Sequence, residues 1–161
     1  MAMQLLSNPL LIILLLIGIG IPVSLAARFF ELKGLQVWLP FSIIVAIGTG
    51  PIEGFIVAAV IMFVSFIAKP YPPATLGVML AFLLITLFSL QFFPIGQNNF
   101  VFYAMLATLI YLSAVNITLA FIYPDVKTAL LFFAFGIPIS FVLYNYIGWT
   151  VVKLLKAAPL F

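Results

Sequence analysis

The fold of this chain is decided by residues 39–65, which read LPFSIIVAIGTGPIEGFIVAAVIMFVS. Two apolar runs flank a turn rich in Gly and Pro, which ends one helix and starts the next. Gly50, Gly54 and Ala58 recur at every fourth position, so they share one face of the second helix. A stripe of small residues lets another backbone approach closely, which is how helices associate in lipid. The stretch therefore predicts two membrane helices, the second of which packs tightly against a neighbour.

The composition of the whole chain indicates a membrane protein. Of its 161 residues, 67% are hydrophobic and 6% are charged, and the mean hydropathy is +1.43. Soluble domains carry about a quarter charged residues. The net charge of +3 is spread between the apolar runs, which is typical of anchoring in the membrane and not of nucleic-acid binding.

The apolar runs predict an all-α integral membrane protein, a six-transmembrane-helix bundle that forms one domain over residues 1–161. Gly, Pro and polar residues bound the runs. The predicted helices cover residues 9–27, 35–48, 51–68, 74–93, 100–123 and 126–155. The runs are continuously apolar, whereas the strands of a membrane barrel would alternate. The first run lacks a basic segment before it, so we expect a retained helix instead of a cleaved signal.

Glu53 is an acidic residue between two apolar runs. An intramembrane carboxylate can mark an ion path or a ligand cavity. Glu53 also suits the first turn of a helix that begins at Pro51, where it meets unpaired N–H groups. The capping interpretation is favoured, and the two roles are compatible. An ion path would need a chain of ionisable groups, which Glu53 alone does not provide.

Three further residues are candidates for the wall of a ligand cavity. Asn116 and Asn145 fall inside apolar helices, where an unpaired amide is costly. Hydrogen bonding between helices is the favoured interpretation, and lining of a polar cavity is the alternative. Trp38 is expected in the interfacial aromatic belt or, alternatively, in the cavity wall.

The residue types that most catalysis needs are missing. The chain has no cysteine and no histidine, which excludes disulfides, thiolate chemistry and the usual zinc and haem ligands. No motif pairs a nucleophile with a base or forms a phosphate loop. We therefore expect no enzyme activity, no catalytic residue, no metal and no cofactor.

Two parts of the chain resemble a known family. Leu39-Pro40-Phe41, with the run from Gly50 to Val57, is similar to the helix 2–3 segment of the substrate-capture (S) components of energy-coupling-factor vitamin transporters. The distantly related MreD-type rod-shape-determining proteins share these features. Residues 136–156 resemble the last helix of both. The resemblance implies a non-enzymatic six-helix protein in the cytoplasmic membrane of a prokaryote.

The two relatives imply different functions. An S component would take up a small nutrient or vitamin and dock on a transmembrane coupling subunit driven by ATPases. An MreD-type protein would be a structural scaffold that holds partner membrane proteins together. S components usually dock through an Ala-rich motif of small residues on the first helix, and this chain departs from that pattern, because its first helix has Gly20 and Ser24 and its clear stripe of small residues is on the third helix. These two residues and the stripe on the third helix are therefore candidates for helix packing or partner docking. The expected partners are the bilayer, other membrane proteins and a small-molecule ligand.

Overall fold

The computed structural model describes residues 8–32, 34–68, 70, 72–123 and 126–157. Within this part of the chain all regular structure is helical. The elements are α1 (Pro9–Phe29), α2 (Trp38–Gly48), α3 (Pro51–Ala68), α4 (Pro73–Ser89) with a 3₁₀ turn (Leu90–Phe92), α5 (Phe100–Ile122), α6 (Val126–Leu143), a π-helical turn (Tyr144–Gly148) and α7 (Trp149–Lys156). The all-α bundle that the sequence predicts is confirmed, and the helix bounds lie within three residues of the expected ones.

Among the residues that the structure describes, five helical stretches are long and apolar enough to cross a membrane. They are Pro9–Phe29, Pro51–Ala68, Pro73–Phe92, Phe100–Ile122 and Leu130–Lys156. Their outer surfaces carry large apolar side chains, of which Phe121 is 88% exposed. Exposure of many large apolar side chains is unfavourable in water and favourable in lipid. The chain is therefore a multi-pass membrane protein.

The short helix α2 forms the axis of the bundle. It has 11 residues, about half the length of a membrane span. Every residue from Trp38 to Val45 is buried, and α2 contacts α3, α5 and α7. A helix that is apolar all round has to be enclosed by other elements. The five spans supply that enclosure.

The small-residue stripe of α3 packs against α2 of the same chain. Gly54 lies against the backbone carbonyl of Ser42 and the methyl group of Ala46. A Cβ at Gly54 would come within 2.7 Å of the Ala46 Cβ. Ala58, one turn further, is fully buried. The closely packed neighbour that the sequence predicts is thus a helix of this chain.

The helices alternate in direction, so the bundle has two distinct ends. We call face A the end where α1, α3 and α5 finish, and face B the end where they begin. The helix α2 runs from face A towards face B, where Gly48 lies against Leu155. An irregular segment, described over residues 30–32 and 34–37, leads into α2 at the face A end.

This segment explains why α2 begins at Trp38 and not at residue 35 as predicted. Gly34 has φ 98°, a left-handed conformation that favours glycine. A Cβ at Gly34 would meet the backbone carbonyl of Leu131 on α6. The backbone therefore packs directly on α6 before it turns into α2, and local helix propensity is overridden.

Candidate polar site at face A

The four residues predicted to line a cavity do not come together. Trp38 and Asn116 lie in the face A half of the bundle, because Trp38 starts α2 and Asn116 falls near the end of α5. Glu53 lies at face B. Asn145 points away from the core.

Trp38 is a core residue and not part of an interfacial belt. Its side chain is 5% exposed, and its ring meets that of Tyr111 edge to face, with centroids 5.6 Å apart and an angle of 86° between the planes. Burial follows from the position of α2, which is surrounded by other helices. The preferred sequence interpretation of Trp38 is therefore corrected.

Asn145 also differs from expectation. It is exposed, and its Nδ2 donates a 2.9 Å hydrogen bond to the Phe141 carbonyl of its own helix. This donor bonds within its own helix, and the exposed side chain does not face the core of the bundle. The reason is the π-helical turn, whose wider winding places Tyr144 and Gly148 inside the bundle and Asn145 outside.

Glu53 lies in the first turn of α3, and its carboxylate lies against Gly50. This position is the one that a helix-start role requires, because the unpaired backbone N–H groups of α3 are there. Glu53 is separated from Asn116 by most of the height of the bundle. It takes no part in the polar site described below.

The residues predicted for helix packing or partner docking mostly face inward. Gly20 lies against Ile61 and Phe41, and Ser24, Gly54 and Ala58 are buried as well. A partner could reach these four residues only if the bundle opened. Gly50 is half-buried at face B.

Three deeply buried side chains leave polar atoms without a hydrogen-bond partner. They are Ser24 (4% exposed), Gln36 (8%) and Asn116 (6%), and the atoms concerned are Ser24 Oγ, Gln36 Oε1 and Asn116 Nδ2. We call these three residues the polar site. A buried polar group without a partner costs about 1–3 kcal/mol. The site therefore gains stability from any molecule that supplies matching groups.

Packing around Gly136 brings two members of the polar site to the same region. The Cβ position of Gly136 is 3.4 Å from a methyl group of Leu112 and 3.6 Å from the carbonyl oxygen of Gly34. Asn116 follows Leu112 by one turn on the same face of α5. Gln36 follows Gly34 by two residues. Asn116 and Gln36 therefore flank the contact between α6 and the irregular segment.

The third member, Ser24, lies on α1 beside the start of α2. It follows Gly20 by one turn, and Gly20 contacts Phe41 in the first turn of α2. The N-cap position of α2, Val37, forms no side-chain cap hydrogen bond. Besides its three unmatched polar atoms, the site therefore has the N-terminus of the 11-residue helix α2, which is the positive end of the helix dipole.

The irregular segment begins with a regular helix ending. The N–H of Leu32 donates to the Ala27 carbonyl at 2.8 Å and the N–H of Glu31 donates to the Arg28 carbonyl at 3.2 Å. This pair of bonds is the Schellman motif, in which the C′ residue is left-handed, and Glu31 has φ 55°. Gly34 has φ 98°, which glycine adopts without steric cost.

A second set of buried polar groups, next to the polar site, is hydrogen-bonded. The hydroxyl groups of Thr108 and Tyr144 are 2.9 Å apart, and Thr108 also donates to the Ala104 carbonyl at 2.9 Å. The Tyr111 hydroxyl lies 3.4 Å from the Met79 carbonyl. These hydroxyl groups find partners within the core, whereas Ser24 Oγ, Gln36 Oε1 and Asn116 Nδ2 do not, and Trp149 Nε1 in α7 is a further buried atom without one.

Sequence reasoning missed Gln36, Thr108 and Tyr144. Gln36 is the one strongly polar side chain in the stretch from Leu35 to Phe41, and that contrast is the signal that could have identified it. Thr108 and Tyr144 are common residue types in membrane helices. Their pairing across 36 positions of sequence has no local signature.

Comparison of the chain with protein-family models, with curated proteins and with solved structures finds no match. The function has to be argued from the site itself.

Proposed function

We propose that this protein is a non-enzymatic membrane subunit that captures a small polar molecule at the polar site, in the manner of an S component of a nutrient transporter. The observation that carries the proposal is the set of unmatched atoms on Ser24, Gln36 and Asn116. They belong to α1, the irregular segment and α5, and the contacts of Gly20 with Phe41 and of Gly136 with Leu112 and Gly34 link these parts of the chain through α2 and α6.

Unmatched polar atoms favour ligand capture over a scaffold role. A scaffold of the MreD type functions through its outer surface, so a leucine in place of Asn116 would serve it better. Asn116 Nδ2 carries a desolvation cost that a bound hydrogen-bond acceptor would offset. A protein that binds and releases a ligand has to carry this cost in its free state.

The atoms also indicate the chemistry of the ligand. Asn116 Nδ2 donates, Gln36 Oε1 accepts, and the Ser24 hydroxyl can do either. A matching ligand therefore accepts a hydrogen bond at one position and donates one at another. The adjoining rings of Trp38 and Tyr111 provide apolar surface. Ligand sites usually combine a few polar groups with such surface in this way.

The experiment is mass spectrometry of small molecules released from gently purified protein. We compare the wild type with Asn116→Leu and with the control Asn145→Leu, which removes an exposed amide bonded to its own helix. We expect one small molecule to accompany the wild type and the control, and to be lost from Asn116→Leu. An identical small-molecule profile in all three, or none in any, contradicts the proposal.

An uptake role also requires a membrane partner. The sequence contains no phosphate-binding loop, so the energy for release into the cell has to come from another subunit. The same purified sample identifies co-purifying proteins. A membrane protein associated with an ATPase supports the uptake role, and a partner without one supports the scaffold alternative.

A further inference from the structure

A cleft opens at face B, at the opposite end of the bundle from the polar site. Its volume is about 350 Å³. It lies between the end of α2, the loop after α4 and the last turn of α7. The lining residues are Ala46, Ile47, Thr49, Gly50, Leu90, Gln91, Phe93, Ile95 and Lys156.

The lining of the cleft is amphipathic. Lys156 is its charged side chain and Gln91 its amide. The Thr49 hydroxyl already donates a 3.0 Å hydrogen bond to the Val45 carbonyl. Leu90 and Phe93 belong to the apolar part of the wall. An occupant that matches this lining has an anionic head and an apolar portion.

Lys156 is held at the mouth of the cleft by an aromatic contact. Its Nζ lies 5.8 Å from the ring centroid of Trp149, which itself packs against Phe100 at 5.6 Å. An ammonium group over an indole ring is attracted to it. Because this contact limits the positions of Nζ, the charge stays close to the cleft.

The position along the membrane normal fits a lipid headgroup. Lys156 is the last residue of the span Leu130–Lys156, so it lies where a basic residue reaches the polar interface. Basic residues at the ends of spans attract anionic lipids. The apolar walls favour a lipid over a free anion, because a free anion gains nothing from Leu90 or Phe93.

We propose that the face B cleft binds an anionic phospholipid, with the phosphate at Lys156 and the beginning of the acyl chains against the apolar wall. This site is separate from the polar site, and it does not depend on the proposed function. Lipid binding here would fix the ends of α2, α4 and α7 relative to one another.

The test uses thermal unfolding of the purified full chain in a neutral detergent at low salt. Phosphatidylglycerol is compared with phosphatidylcholine, and Lys156→Gln is compared with Lys153→Gln. Lys153 is the matched control, because it is exposed on the same helix, loses the same charge and does not line the cleft. At saturation we expect phosphatidylglycerol to raise the melting temperature by roughly 5 °C.

The expected pattern is a full shift for the wild type and Lys153→Gln, and loss of most of the shift for Lys156→Gln. Equal melting temperatures of the three proteins in phosphatidylcholine verify that the variants fold. Three results each overturn the proposal: equal effects of the two lipids, an equal loss in Lys153→Gln, or an equal shift from inorganic phosphate alone. Native mass spectrometry of retained phosphatidylglycerol provides a second readout with the same expected order.

Discussion

Thr108 and Asn116 are polar residues on the same helix and are buried to a similar extent. They differ in whether their polar groups have hydrogen-bond partners. The Thr108 hydroxyl meets that of Tyr144 at 2.9 Å, whereas Asn116 Nδ2 has no partner. Both sit in a low-dielectric interior, where an unmade hydrogen bond is most costly. The Thr108 hydroxyl is used within the fold, whereas the Nδ2 group of Asn116 remains available to a ligand.

This difference predicts opposite stability changes for two substitutions of similar size. Thr108→Val removes one of the two hydroxyl partners of Tyr144 and leaves the Ser140 hydroxyl, so we expect the free energy of unfolding to fall by about 1 kcal/mol. Asn116→Leu removes an unmatched donor, and we expect the melting temperature of ligand-stripped protein to rise. Thermal unfolding in detergent measures both. A fall for Asn116→Leu as large as that for Thr108→Val would show that Asn116 is structural.

The contact between Thr108 and Tyr144 has its own test. A double-mutant cycle with Thr108→Val and Tyr144→Phe should give a coupling free energy of about 0.6 kcal/mol, which is typical of hydrogen bonds between membrane helices. The free energies of unfolding of the two single variants and the double variant supply the cycle. Strict additivity would mean that the two hydroxyl groups do not stabilise each other.

At the scale of elements, the close approach of α2 and α3 depends on Gly54. Gly54→Ala places a Cβ against the Ser42 carbonyl and Ala46, and overpacking of this kind costs about 1–3 kcal/mol. Gly77→Ala is the control, because no atom lies within 4 Å of a Cβ at Gly77 in α4. We expect the melting temperature to fall for Gly54→Ala and to stay or rise for Gly77→Ala, since alanine favours the helix. Equal changes would contradict the packing of α2 against α3.

The helices could be predicted from the sequence because Pro and Gly residues lie at the boundaries of long apolar runs. The start of α2 could not, because residues 35–37 read as helix while the contact of Gly34 with α6 bends the chain. The outward position of Asn145 depends on the π-helical turn, and no residue type specifies such a turn. Two of the three residues of the polar site were singled out from the sequence, Asn116 for a cavity wall and Ser24 for helix packing or docking. The convergence of these residues with Gln36 depends on tertiary contacts between distant segments.

At the scale of the whole molecule, the fold predicts which loops share a side of the membrane. Residues 97–99 and the end of α7 lie at face B, and residue 72 lies at face A. The chain has no native cysteine, so single cysteines can be labelled without background. We expect Asn98→Cys and Ala157→Cys to react with an impermeant maleimide from one side of the membrane, and Pro72→Cys from the other. Labelling of all three from the same side would contradict the arrangement of the spans.

The two faces also divide the proposed roles of the molecule. Face A holds the polar site, and face B holds the proposed lipid cleft beside the tight turn between α2 and α3. The helix α2 connects the two, because it begins at the polar site and ends at the cleft. In the proposed substrate-capture role, face A binds the ligand and face B holds the lipid.

The most direct test of ligand capture is an experimental structure of the gently purified protein at a resolution that shows bound molecules. We predict non-protein density larger than a water molecule within hydrogen-bonding distance of Asn116 Nδ2 and Gln36 Oε1. Side chains of Asn116 and Gln36 that pair with protein groups or with single waters, with no further density between them, would contradict the account.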